Sequence, residues 1–164
     1  MNHLNELLKK RMDLSTLAEK VKNWREQGCK IVFTNGCFDL LNRGHVEYLA
    51  QAADFGDKLV IGLNTDASVN RLKGPTRPIN DEEARSAVLS ALSFVSAVVL
   101  FDEPTPLELI RLVQPDVLIK GADYKPEEIV GYDIVTARGG KVATVPLTSG
   151  YSTSNIEQRI REKM

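Results

Sequence analysis

Apolar residues recur at helical spacing between residues 13 and 27, where Leu14, Leu17, Val21 and Trp24 share a face and Gly28 offers a C-terminal stop. The period then changes. Lys30-Ile-Val-Phe-Thr-Asn35 is β-branched and aromatic and ends at Asn35-Gly36, which predicts a buried strand entering a tight loop. A helix beginning near Gly44 follows, with Val46, Leu49, Ala50 and Ala53 facing inward. Further apolar runs at 58–63, 97–101, 117–120 and 141–145 read as strands. Between them the pattern predicts helices. One opens with Asn80 and Glu83 at capping-box spacing and turns Ala84, Val88 and Leu92 inward; another opens at Thr105-Pro106 with Glu108. A third runs from about 127 to 138, and the last begins around Thr153. The segment from Lys73 to Pro78 reads as an irregular loop.

Short apolar strands alternating with helices imply parallel crossovers. The expected fold is α/β, a single Rossmann-like doubly wound domain with a five-stranded parallel sheet and helices on both faces. Residues 1–29 are expected as a helical extension packed on a domain spanning 30–164. In such sheets ligands bind beyond the carboxyl ends of the strands, which directs attention to the loops after Asn35, Leu63, Lys120 and Val145.

Composition narrows the chemistry. The 164 residues suit one core, and 43% hydrophobic with 26% charged residues is ordinary for a globular protein. A net charge of −1 argues against a nucleic-acid polymer as partner. The apolar runs are too short to span a membrane, and the polar N-terminus is unlike a signal peptide. Cys29 and Cys37 flank the first strand and are expected as reduced thiols, consistent with a cytoplasmic protein. Two histidines and two separated cysteines make no structural metal site. Trp24 leaves a homodimer through the N-terminal helix open, with core packing explaining the same residue equally well.

The loop after the first strand reads Thr34-Asn-Gly-Cys-Phe-Asp-Leu-Leu-Asn-Arg-Gly-His-Val-Glu-Tyr48. Gly44 permits close backbone approach, and the following helix start offers free amides to a phosphate. Neither the dinucleotide glycine fingerprint nor a P-loop is present, which argues against a nicotinamide enzyme.

Gly36, Phe38, Asp39, Gly44 and His45 resemble the G-x-F-D-x-x-H-x-G-H loop of the cytidylyltransferase-like nucleotidyltransferases. Lys73-Gly with Arg77-Pro78, Lys120-Gly-Ala-Asp-Tyr-Lys-Pro-Glu-Glu128 and Gly150-Tyr-Ser-Thr-Ser154 resemble the matching loops of D-glycero-β-D-manno-heptose 1-phosphate adenylyltransferases. The resemblance implies transfer of AMP from ATP to a sugar phosphate, with pyrophosphate leaving and Mg²⁺ entering with ATP. It assigns Asn42, His45 and Lys73 to catalysis. Thr34, Asn35, Gly36, Phe38, Gly44, His45, Lys120, Gly121, Asp123, Ser152, Thr153 and Ser154 are assigned to the nucleotide and its phosphates. Asp39, Lys73, Arg77 and Arg85 are assigned to the sugar phosphate, with Asp39 also weighed as a Mg²⁺ or loop-bracing residue. A positive charge on His45 would aid phosphate binding.

Asn42 stands where that family has its first histidine. An amide cannot become a cation, and loss of a transition-state donor costs about 10² to 10³ in rate. An introduced substitution, a natural variant with compensating groups, and a silent nucleotide-binding module all fit. A cytidylyltransferase acting on a polyol phosphate is the nearest competitor within the superfamily.

Overall fold

The computed structural model describes residues 2–164. After α1 (His3–Leu8) the chain runs β1 (Arg11–Met12), α2 (Leu14–Glu26), β2 (Ile31–Gly36), α3 (Arg43–Ala53), β3 (Lys58–Asn64), α4 (Asp66–Lys73) and α5 (Glu82–Ser90). It continues through β4 (Val95–Phe101), α6 (Leu107–Val113), β5 (Val117–Gly121), a 3₁₀ turn at Pro126–Glu128, α7 (Tyr132–Ala137), β6 (Lys141–Val145) and α8 (Thr153–Glu162).

The sheet has six strands in the order β1-β4-β3-β2-β5-β6, every pairing parallel, rather than the expected five. The added strand is β1, two residues pairing Arg11 with Val98 and Met12 with Val99. Two residues are too short to carry a period. The segment before residue 30 thus supplies an edge strand as well as α2. That helix starts at the Asp13 cap, buries Leu17 and Val21, and ends before Gly28 at φ 75°.

Side-chain alternation along the strands divides the core between the two faces of the sheet. Val32, Leu59, Ile61, Leu63 and Ile119 pack with Tyr48, Leu49 and Ala52 of α3 and Leu89 of α5. Ile31, Phe33, Val60 and Leu118 pack on the other face with Leu17, Val21, Ile110 and Val113, and Trp24 lies against that cluster.

Several local expectations shift by a residue or a turn. α3 buries Leu49 as expected, but with Gly44, Tyr48 and Ala52 in place of Val46, Ala50 and Ala53. α5 is capped by Asp81, whose carboxylate accepts from the Ala84 amide at 2.7 Å, because Asn80 is drawn back to Asp39. Its inward face is Arg85, Ser86, Leu89 and Ser90, leaving Val88 exposed. Thr105 makes no cap, Pro106 standing at the N-cap of α6. The 127–138 helix is interrupted at Gly131, whose φ of 92° is left-handed. The polar stretch before Lys73 forms α4, capped by Thr65.

β2 has β3 on one side and β5 on the other, so the chain reverses its direction of travel across the sheet at their carboxyl ends. A crevice opens there, and ligands of doubly wound sheets bind in such a crevice.

Candidate active site

β2 ends in Gly36, where a Cβ would come within 3.0 Å of the Phe38 ring. Phe38 itself takes a left-handed φ of 45°, and this sharp turn sends the chain back toward α3. Its ring meets that of His45 edge-on, 5.4 Å between centroids. His45 lies in the first turn of α3, and its Nδ1 is buried with no protein partner. Burial lowers its pKa from the ordinary histidine value; the Leu40 carbonyl opposes the shift and the Lys73 charge adds to it. Desolvation therefore favours the neutral ring near pH 7.

Around these residues lies a cleft of ≈ 360 Å³. The structure brings Asn35, Gly36, Phe38, Asp39, His45, Lys73, Lys120, Gly121, Asp123 and Thr153 to its lining. Lys73 comes from the last turn of α4, and Lys120 from the end of β5. Burial pushes the Lys120 ammonium below lysine's usual pKa, with Cys37 and Asp123 opposing, and its Nζ lies 5.9 Å from the centre of the Tyr124 ring. A Cβ on Gly121 would come within 2.7 Å of the Asp123 carboxylate. Thr153 opens α8, whose cap is Ser152, accepting from the Asn155 amide at 3.1 Å.

Other expected residues are occupied elsewhere. Asn42 is the N-cap of α3: its Oδ1 accepts from the His45 amide at 3.3 Å and its Nδ2 donates to the Leu40 carbonyl at 3.1 Å. Both ends of the amide serve the loop, and Asn42 is absent from the cleft lining. Thr34 is fully buried, its hydroxyl 2.8 Å from that of Tyr48. The close approach at Gly44 is made by protein, since a Cβ there would lie 2.8 Å from the Tyr151 carbonyl oxygen. Ser152 and Ser154 are exposed outside the lining.

The three remaining charges act as fasteners. The Asp39 carboxylate accepts from the Ile79 amide at 2.8 Å, the Asn80 amide at 3.0 Å and Arg77 Nη1 at 2.8 Å. Burial pushes its pKa up, but these donors outweigh that and hold it below the usual carboxylate value. Arg77 spans from Asp39 to Glu157 of α8 at 2.5 Å, coupling the 77–80 loop to the C-terminal helix. Arg85 is 2% exposed and donates to the carbonyls of Asn80, Cys37 and Asn64 and to Asp66. Arg77 and Arg85, expected at the sugar phosphate, are here engaged by protein partners, and neither lines the cleft.

Sequence reasoning passed over Cys37, Tyr48 and Leu147, all of which line the cleft. Cys37 was detectable from its position between Gly36 and Phe38; burial raises its thiol pKa against the opposing charges of Lys73 and Arg85. Tyr48 is nearly buried where it lines the cleft, its pKa pushed up to about 12 by burial. Leu147 arrives from the loop after β6 and carries no local signal.

The cleft can hold an anion: two lysines and two helix starts border a partly enclosed basin. Among the described residues no three His, Cys, Asp or Glu side chains gather as metal ligands, and no helix is long and apolar enough to cross a membrane.

Comparison with known proteins agrees with this geometry. Residues 33–159 match the cytidylyltransferase-like family model. The chain is 57% identical over 141 residues to the bifunctional protein HldE of Azorhizobium caulinodans, covering 86% of this chain and 29% of that protein. It is 55% identical over 158 residues to the HldE of Caulobacter sp. strain K31, covering 96% of this chain and 32% of that one. It thus spans about a third of these relatives. A lipopolysaccharide core biosynthesis protein from Thermoplasma volcanium superposes with a TM-score of 0.61 at 31% identity, over 76% of this chain and 100% of that one. A pantoate-beta-alanine ligase from Francisella tularensis shares the fold, with a TM-score of 0.60 at 15% identity over 92% of this chain and 76% of that one. With the match extending from β2 into α8 and enclosing the whole cleft, the chain belongs to the cytidylyltransferase-like family.

Proposed function

We propose that the chain transfers AMP from ATP to a heptose 1-phosphate, giving ADP-heptose and pyrophosphate. The observation that carries this is the convergence of His45, Lys73, Lys120 and Thr153 on one cleft at the sheet's switch point. Similarity to bifunctional HldE proteins and to a lipopolysaccharide core biosynthesis protein supports a sugar-phosphate acceptor and a surface polysaccharide precursor as product.

In the reaction an oxygen of the sugar phosphate attacks the α-phosphorus of ATP in line. A new P–O bond forms as the bond from the α-phosphorus to the α–β bridging oxygen breaks, and pyrophosphate departs with that electron pair. Catalysis is alignment and charge neutralisation, with no covalent enzyme intermediate. Lys73 and Lys120 supply positive charge, and the first amides of α3 and α8 supply donors. Neutral His45 offers a hydrogen bond from a ring whose Nδ1 has no protein partner. Asp39 keeps the 77–80 loop in register with the cleft rather than touching the sugar. Its oxygens are taken by N–H donors and no ligand cluster surrounds them, so Mg²⁺ does not fit a protein-held site here and arrives on the ATP phosphates with its waters.

A second reading, nucleotide binding with little turnover, is favoured by Asn42, whose side chain is consumed as a helix cap. The deciding experiment is pyrophosphate release from ATP and heptose 1-phosphate with Mg²⁺, on this chain and on Asn42→His. The variant should raise kcat by about 10² if a missing donor limits the reaction. Loss of the asparagine cap should lower its stability by about 1 kcal/mol, so the assay is run well below its melting temperature. ATP binding with no pyrophosphate from either protein would leave the silent module standing, and turnover with CTP in place of ATP would favour the cytidylyltransferase.

A further inference from the structure

Asn35 carries a buried Oδ1 with no hydrogen-bond partner. Buried acceptors are almost always paired, so an orphan at the lip of a cleft asks for a donor from outside the protein. The residue lies on the sheet face opposite His45: its Cβ, with Phe33 and Leu109, is what a Cβ at Gly62 would meet. Lys120 shares that face. It stands two residues beyond Leu118, as Asn35 stands two beyond Phe33, and Phe33 and Leu118 are register partners. The ends of β2 and β5 therefore carry an amide acceptor and an ammonium on the same face of the sheet, each two residues beyond the last paired residues, and both line the cleft.

A second groove of ≈ 180 Å³ adjoins it, sharing Lys120 and Tyr124 and walled by Pro106 and Ile129. Tyr124 is 51% exposed, an amphipathic ring available to a sugar face. A ligand carrying hydroxyl donors next to a phosphate complements this arrangement; a sugar 1-phosphate is such a ligand, and separate binding measurements distinguish it from the ribose and phosphates of ATP.

We infer that Asn35 and Lys120 form the acceptor subsite on this face of the sheet, with Asn35 Oδ1 taking a hydrogen bond from a hydroxyl of the sugar 1-phosphate and Lys120 meeting its phosphate. This reassigns both residues from the nucleotide and rests on the adenylyltransferase reading.

The test is equilibrium binding of heptose 1-phosphate, and separately of ATP, to the full chain, Asn35→Ala and Asn35→Leu, with the thermal midpoint of each free protein. Both substitutions should weaken heptose 1-phosphate by about tenfold or more and change ATP by less than about twofold. Asn35→Leu should not lower the midpoint, because it removes an unpaired acceptor from between apolar neighbours; a structural asparagine would lower it. A series of mono-deoxy sugar 1-phosphates gives a readout on the unaltered chain. Deleting the hydroxyl that Asn35 accepts from should cost as much as Asn35→Ala, and the two losses should not add. Weakening that falls on ATP, or sugar-phosphate affinity unchanged in both variants, overturns the inference alone. An unaltered chain that binds ATP but no heptose 1-phosphate overturns the inference and the adenylyltransferase reading together.

Discussion

The residue that reports most directly on the cleft's electrostatics is His45. Burial and the Lys73 charge hold its folded-state pKa below 6.5 despite the Leu40 carbonyl. Above 6.5 the ring is neutral in both states and stability does not depend on it. As pH falls through that value the unfolded chain takes up a proton that the folded chain refuses, so stability declines, levelling off once the folded-state pKa is passed. His45→Gln should abolish this part of the decline, read from urea midpoints between about pH 8 and pH 5. Asp39 acts in a separate window: its depressed pKa gives stability that is full above 3.8 and lost at lower pH. Parallel loss of stability in parent and variant between neutrality and pH 5 would mean that the imidazole is not held neutral.

At the level of elements, what was legible followed from local pattern. The strand-to-helix turn at Gly36–His45 and the last-helix start at Thr153 could be read because strand period, glycine and cap residues are short-range signals. β1 and α4 escaped, the first too short for a period and the second polar along most of its length. Lys73 and Lys120 line the cleft as expected, but the arginines were harder to read, because whether a cation faces ligand or protein is decided by partners distant in sequence. Arg85 illustrates this, tying the loop after β2 through the Cys37 carbonyl at 2.7 Å, the end of β3 through Asn64 at 2.9 Å, and α4 through Asp66 at 2.7 Å. Arg85→Met keeps the stem but strands those carbonyls, and should cost about 3 kcal/mol. For a chain of this size that is a fall of roughly 6–12 °C in the melting temperature, measurable by calorimetry. A change of a degree or less would mean that water replaces the guanidinium without loss.

For the whole molecule, the open question physics can pose is how the sheet ends. β6 closes one side and the two-residue β1 the other. Behind β1 lies β4, seven residues of Val-Ser-Ala-Val-Val-Leu-Phe, whose other edge is already paired with β3. A long apolar strand with a free edge is a template for pairing with another chain, and a short covering strand is one of the ways proteins blunt it. The segment before Asp13 does more than pair. The Lys10 carbonyl accepts from the Val98 amide at 2.7 Å, Lys10 Nζ donates to the Leu92 carbonyl at 2.9 Å, and Arg11 forms an ion pair with Glu83 of α5. Deleting residues 2–12 leaves the α2 cap at Asp13 and the cleft intact while uncovering the β4 edge. The truncated chain should therefore still bind ATP but melt at lower temperature and self-associate with rising concentration, read by light scattering during size-exclusion chromatography. A truncated protein that stays at one size and keeps its melting temperature would show that β1 is ornamental to the sheet, and that the edge of β4 is protected by its own twist or by the flanking helices instead.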